Sequence, residues 1–306
     1  MSEMPIEPAN TTAEPDWLEQ PDCPSCGGSG REIGPLFKQE FRLGSAEATP
    51  PPAPIKLRTC RDCGLVFKSI IASPALLTRM TSQAHGGLWT QPYAYADELA
   101  AIRAIDAEAL TDVIDIGAAG GLFLDRMPEG ARKSALDIVR FDTLQINGEF
   151  IEGFLDDEQL EWSGEPYRLV GLFDVAEHLY NPVQAFRNLR SLCREGGLVV
   201  IETGNSESVR TSQLPNWYYL NLVEHHIAWN KPALEDILSR TGFEVVEFTR
   251  KKHKNHRPMP LKHRAKEKFF GLAPRLMQAI WKLAGRSLDV PATDKADHMR
   301  FILRAV

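Results

Sequence analysis

The sequence predicts an α/β chain: a doubly wound sheet of seven strands with a small cysteine-bearing module in front of it. Three observations carry that prediction. Residues 111–127, TDVIDIGAAGGLFLDRM, run from an apolar strand through a turn of small residues into an apolar, helix-compatible stretch. Downstream, apolar runs of strand length alternate with amphipathic runs of helix length, the pattern of a parallel sheet covered on both faces. Upstream, four of the five cysteines fall in two CxxC pairs.

Composition bounds the function. With 43% apolar and 25% charged residues the chain is an ordinary globular protein, and its 306 residues can bury one α/β core and a smaller module. The formal net charge of -6 gives no field that would attract nucleic acid. The start, MSEMPIEPAN, is acidic and lacks the basic flank and apolar run of a signal peptide. No stretch approaches the roughly 18 apolar residues that span a bilayer. A cytoplasmic location is therefore expected, where paired cysteines favour metal over disulfides.

Residues 1–20, rich in Glu, Pro, Asn and Thr, are expected to form a flexible tail. Residues 21–72 read as a zinc-binding module. Cys23 and Cys26 form one knuckle and Cys60 and Cys63 the other, each followed by glycine. Four thiolates close a tetrahedral zinc site with no open position, so the metal would supply folding energy rather than catalysis. A loop containing Pro50, Pro51, Pro52 and Pro54 explains the long spacing between the knuckles. Cys193 falls on an apolar helix face and reads as buried filler. Residues 73–110 read as a helical lid or linker. They include a loop, His85 to Trp89, whose histidine could reach a substrate, and a helix over 97–110.

In the remaining 111–306, residues 133–139 read as the second strand, with Asp137 where an acid can accept ribose hydroxyls at the carboxyl edge of a parallel sheet. Residues 149–157 give a third strand and turn, 168–174 a fourth ending in Asp174, and 183–193 a helix. Glu195, Gly196 and Gly197 turn into the fifth strand, 198–202. A helix over 231–241 and strands over 243–249 and 298–305 complete the sheet. Between the last two strands lies a basic and amphipathic insertion, 250–290. Such a segment can be a solvated face with a docked helix or homodimer contact, or can hold a phosphate-bearing substrate or a peripheral membrane surface.

In combination and in order, DIGAAGGLFL, the acid Asp137, FDVAEHLYNP and REGGLVVIETGN resemble the class I S-adenosylmethionine-dependent methyltransferases, in their small-molecule branch. The GxGxxG spacing of nicotinamide-binding domains is absent. The resemblance implies a Rossmann-like fold with S-adenosyl-L-methionine as cofactor. It places Asp115, Gly117, Ala118, Gly121 and Phe123 around the methionine end and Asp137 on the ribose. Phe154, Leu155 and Asp156 would border the adenine, and Asp174, Val175 and His178 the methyl-donor side. Ala119 replaces the usual middle glycine, and Phe154 stands where an acid often meets the adenine amino group.

With the cysteine module in front, the chain is similar to bacterial sugar C-methyltransferases and related natural-product enzymes, without their long C-terminal domain. That subgroup places a tyrosine and a Glu-His pair after the fifth strand, which here fall at Tyr218, Tyr219, Glu224, His225 and His226. The resemblance implies His178, Glu224, His225 and Tyr219 as catalytic candidates. The acceptor would be a sugar, nucleotide-sugar or natural-product scaffold methylated on oxygen or carbon. Two other readings stay open: a methyltransferase for RNA or protein, and a non-catalytic zinc-containing interaction protein.

Overall fold

The computed structural model describes residues 14–84, 93–252 and 296–306. The front segment is built of short strands: β1 (Trp17–Glu19), β2 (Gly30–Pro35), β3 (Arg42–Leu43), β4 (Ala46–Glu47), β5 (Lys56–Cys60), β6 (Val66–Lys68) and β7 (Ile70–Ala72). β1 pairs antiparallel with β7, so residues 17–19, expected in the tail, are instead held by a strand ladder. Helix α1 (Pro74–Gln83) starts on the Ser73 hydroxyl, which accepts from the Leu76 N–H at 3.2 Å, with Pro74 in its first turn. Helix α2 (Ala96–Asp106) gives way to a 3-10 segment, Ala107–Thr111. The helix expected through residue 110 breaks because Asp106 adopts extended backbone and its carboxylate caps the Glu108 N–H.

The main sheet follows: β8 (Asp112–Ile116), β9 (Arg132–Asp137), β10 (Phe150–Glu152), β11 (Tyr167–Phe173), helix α3 (Pro182–Leu192) and β12 (Cys193–Gly204). Then come α4 (Tyr218–Asn221), β13 (Ile227–Ala228), α5 (Lys231–Arg240), β14 (Phe243–Lys251) and β15 (His298–Ala305). Seven strands lie in the order β10-β9-β8-β11-β12-β15-β14. Strands β8 to β12 run parallel, and β15 is antiparallel to both its neighbours. Alternate residues along each central strand enter opposite cores. Ile114, Val170 and Val199 pack under α3 and α5 with Phe186, Leu189, Leu234 and Ile237. Val113, Leu169 and Val200 meet Leu99, Ile102 and Leu110. Burial on both faces explains why these strands read as continuous apolar runs.

Two expectations change. The helix-compatible run after Gly121 is only one 3-10 turn, Leu124–Arg126. Pro128 forces Met127 to extended backbone (ψ 151°), which stops the helix before it propagates. Cys193 is buried as expected, but as the first residue of β12 rather than on a helix face.

The front segment is not an independent bead. Strand β13, from the far half of the chain, pairs with β6 and completes a four-stranded sheet, β13-β6-β5-β2. Cys23, Cys60, Leu65 and Phe67 share one hydrophobic core with α3 and α5. The Asn230 side chain also donates to the Gly64 carbonyl at 2.7 Å.

The loop containing His85 and most of the 250–290 insertion lie outside the described residues, and with them the expected phosphate, membrane and second-subunit contacts. At the insertion's start, Arg250 pairs with Glu207 at 3.1 Å. Lys251 pairs with the buried carboxylates of Glu98 and Glu202, the second at 2.8 Å. Among the described residues no helix is long and apolar enough to cross a membrane.

Candidate active site

The carboxyl ends of β8, β9, β10 and β11 open into a cavity of about 350 Å³. One end is made by the turn after β8. Gly117, Ala119 and Gly121 take left-handed backbone, with φ of 68°, 45° and 83°. The Gly117 N–H donates to the Leu136 carbonyl at 2.7 Å, and the Ala119 N–H donates to the Asp137 carboxylate at 2.8 Å, so the turn is fastened to β9. A Cβ added at Gly117 would stand 2.4 Å from a methyl of Val175, so only glycine lets these two loops approach. Asp115, Gly117, Ala118 and Asp137 all line the cavity, and burial raises the Asp137 carboxyl above its usual range.

Gly121 and Phe123 are not among the lining residues. The Gly121 N–H donates to the Ala118 carbonyl, closing the turn, and the Phe123 ring packs 4.6 Å from that of Phe173, which lines the cavity. Leu122, Ile138 and Phe141 line the cavity instead. Phe154 and Leu155 also line it. The Asp156 carboxylate accepts from the Tyr180 and Asn181 N–H groups at 2.6 and 2.7 Å, anchoring the entry to α3.

The other end gathers most of the remaining predicted residues. Asp174 leaves β11 in left-handed backbone (φ 56°), and a 3-10 turn, Ala176–His178, then points Glu177 and His178 inward. Glu177 is fully buried; one carboxylate oxygen accepts from the Thr203 hydroxyl at 2.8 Å and the other has no partner among the described residues. The His178 and His225 rings lie 5.0 Å apart. Burial pushes the Glu177 carboxyl up to about 8, with Asp174 adding to it. Burial holds His178 down at about 4 and His225 well below its ordinary range, so both imidazoles are neutral at neutral pH. Tyr219 lines the cavity too, but its hydroxyl accepts from the Gly204 N–H at 2.8 Å. The Tyr218 hydroxyl donates to Asp297 at 3.1 Å. His226 is the structural member of its pair: its backbone N–H donates to the Glu177 carbonyl at 2.9 Å and its carbonyl accepts from Lys68 at 3.0 Å.

The front segment contributes to this cavity through residues that carry no local sequence signature. Leu43, Leu77 and Thr81 wall the cavity. Beyond Glu224, Lys68 of β6 is buried with its ammonium donating to the Leu222 carbonyl at 2.6 Å. Burial lowers the Lys68 amine to about 7, against the pull of Glu224. A lysine lowered on folding contributes stability that is present above its ordinary value of 10.5 and lost as pH falls through about 7. Wild type should therefore gain stability from pH 7 upward relative to Lys68→Met. Parallel urea midpoints for the two proteins across that range would contradict this.

The four predicted metal ligands converge. Cys23 and Cys63 sulfurs lie 3.6 Å apart, Cys26 and Cys60 3.4 Å, and Cys26 and Cys63 3.6 Å. Disulfide sulfurs sit about 2.05 Å apart. Four thiolates on one zinc are separated by about 3.8 Å, given Zn–S bonds near 2.3 Å. The cluster fits a closed four-thiolate site. Against burial, the backbone N–H groups of Cys63 and Asp62 bring the Cys60 thiol down to about 7.

A family model described as "Methyltransferase domain" matches residues 88–248, just over half of the chain. Among solved structures, the chain is similar to 1,6-didemethyltoxoflavin-N1-methyltransferase of Burkholderia thailandensis, solved with 1,6-didemethyltoxoflavin and S-adenosylhomocysteine. The two are 15% identical over 85% of this chain and 100% of that one, with a TM-score of 0.49. A putative sarcosine dimethylglycine methyltransferase from Galdieria sulphuraria is 15% identical over 68% of this chain and 83% of its own, with a TM-score of 0.46. An S-adenosylmethionine-dependent methyltransferase from Mesorhizobium loti is 15% identical over 69% and 98%, with a TM-score of 0.45. No curated protein matches the chain in sequence.

Proposed function

The chain belongs to the methyltransferase-domain family, and from that premise we propose that it methylates a small-molecule acceptor from S-adenosylmethionine. One observation carries this reading: the left-handed turn of residues 117–121, with Asp115 and Asp137, shares a cavity with Glu177, His178, Glu224 and His225.

The residues present fit the cofactor. The Gly117 cradle, which a single Cβ would fill, suits close backbone approach by an amino-acid end, with Asp115 beside it. Asp137 would accept the ribose hydroxyls, Phe154 and Leu155 would flank the adenine, and Asp174 and Val175 would border the donor side. When bound, the cofactor supplies an electrophilic methyl carbon on a sulfonium.

The protein's part is alignment and proton removal, since the acceptor must lose a proton as it is methylated. His178 and His225, neutral and inward-facing, would hold the acceptor, and Glu224 would take the proton with Lys68 behind it. Tyr219, engaged with Gly204, would act as a post for this wall. Leu43 and Leu77 give the acceptor an apolar side, which suits a sugar, nucleotide-sugar or natural-product scaffold with a non-polar face. Cys23, Cys26, Cys60 and Cys63 would hold a structural zinc.

Thermal unfolding tests the reading. S-adenosylmethionine or S-adenosylhomocysteine at a hundredfold excess over Kd should stabilise the chain by about 2.7 kcal/mol. Nicotinamide dinucleotides should have no effect. The opposite selectivity would overturn the assignment.

A further inference from the structure

We propose that Glu177, His178 and His225 form a divalent transition-metal site at the acceptor end of the cavity, whose open positions take two adjacent oxygens of the acceptor. The inference rests on the methyl-transfer reading for the acceptor and on geometry for the ion. One ligating atom from each of the three residues lies within 4.8 Å of the other two. Among the described residues, only the four cysteines make another such group.

Three polar atoms in this place are buried without a partner among the described residues: Glu177 Oε1, His178 Nε2 and His225 Nδ1. Each such atom costs about 1–3 kcal/mol when left unsatisfied. Glu177 and His225 are themselves 0% and 7% exposed, so neither is an incidental surface group. Donors on one ion at about 2.0–2.2 Å sit roughly 3 Å apart when adjacent, so a closure of one to two ångströms would bring all three onto it.

The donor set names the ion class. Two imidazoles with one carboxylate suit Mn²⁺, Fe²⁺, Co²⁺ or Zn²⁺ in preference to Ca²⁺ or Mg²⁺. The Thr203 hydroxyl on the second Glu177 oxygen is the outer hydrogen bond that orients a ligating carboxylate. Three ligands from one side leave positions open toward the cavity. The acceptor class is then a molecule with neighbouring oxygens, such as a vicinal diol or an α-hydroxyketone. Its O–H bond breaks with the proton passing to Glu224, and the new C–O bond forms as the methyl–sulfur bond breaks. An ion held there would lower the pKa of the coordinated hydroxyl, making its proton easier for Glu224 to take.

Electron paramagnetic resonance of full-length, zinc-containing protein titrated with MnCl₂ tests the site, with zinc content confirming that the thiolates stay loaded. One Mn²⁺ per chain should lose its free-ion signal. Glu177→Gln should weaken binding more than tenfold, and Thr203→Val by roughly tenfold, the usual effect of removing an outer partner. His178→Gln provides the same readout if Glu177→Gln fails to fold. Mn²⁺ that stays free at millimolar concentration, or binds equally to the ligand variants, overturns the site and leaves a metal-free acid–base cluster. Calorimetry with S-adenosylmethionine on the same samples separates this failure from failure of the methyltransferase reading.

Discussion

Cys60→Ser should disorder the acceptor end of the cavity as well as the knuckle, and reduce turnover about 10²-fold although Cys60 does not line the cavity. The route is a continuous backbone ladder. Cys60 ends β5, β5 pairs with β6, and β6 pairs with β13. The Lys68 N–H then donates to the His226 carbonyl, and the His226 N–H to the Glu177 carbonyl. A zinc on these thiolates would supply folding energy, about 10–16 kcal/mol in zinc-finger peptides, so removing one thiolate should loosen the ladder. Displacing His225 and Glu177 by about 1 Å is enough to cost 10²-fold in rate. The cofactor turn hangs on β8 and β9, which the ladder does not include, so affinity for S-adenosylmethionine should change only a few-fold. Hydrogen exchange should accelerate over residues 66–68 and 222–230 and stay slow over 112–117. Uniform acceleration across both regions would show that the two ends of the cavity do not separate in this way.

Gly117→Ala should abolish cofactor binding while the chain remains folded. Two costs combine at this position. Left-handed backbone with a Cβ costs about 1–2 kcal/mol. The added methyl would also press to 2.4 Å on Val175, so the turn or the loop after β11 must move. Gly130→Ala separates these effects, because Gly130 has a similar φ of 81° with nothing among the described residues within 4 Å of the added methyl. Both variants should lose the backbone cost, and Gly117→Ala should lose more stability by the strain of the clash with Val175. Only Gly117→Ala should lose affinity, by at least about 10²-fold, since two loops of the site are forced apart. Equal affinity in the two variants would mean that the Gly117–Val175 approach has no part in cofactor binding.

Much of the sheet was legible because its central strands are buried on both faces and so read as apolar runs. Asp137 and Asp174 were legible as acids at the carboxyl ends of two such strands, and the cysteines by spacing alone. The run after Gly121 has the helical spacing of Phe123, Leu124 and Met127, but Pro128 prevents a helix from propagating. The Phe123 side chain joins an aromatic cluster with Tyr95 and Phe173. Such pairings have no local signature. Nor does the β6–β13 ladder, which joins segments far apart in the chain and ties the cysteine module to the cavity wall. Lys68 illustrates the same limit: a lysine in a short strand reads as a surface residue until the partner strand covers it.

Titration calorimetry of the full chain with S-adenosylmethionine is the most direct test of the cofactor assignment. One molecule should bind per chain, with binding lost in Gly117→Ala and weakened in Asp137→Asn. Absence of heat at millimolar ligand, or equal binding by all three proteins, would contradict it.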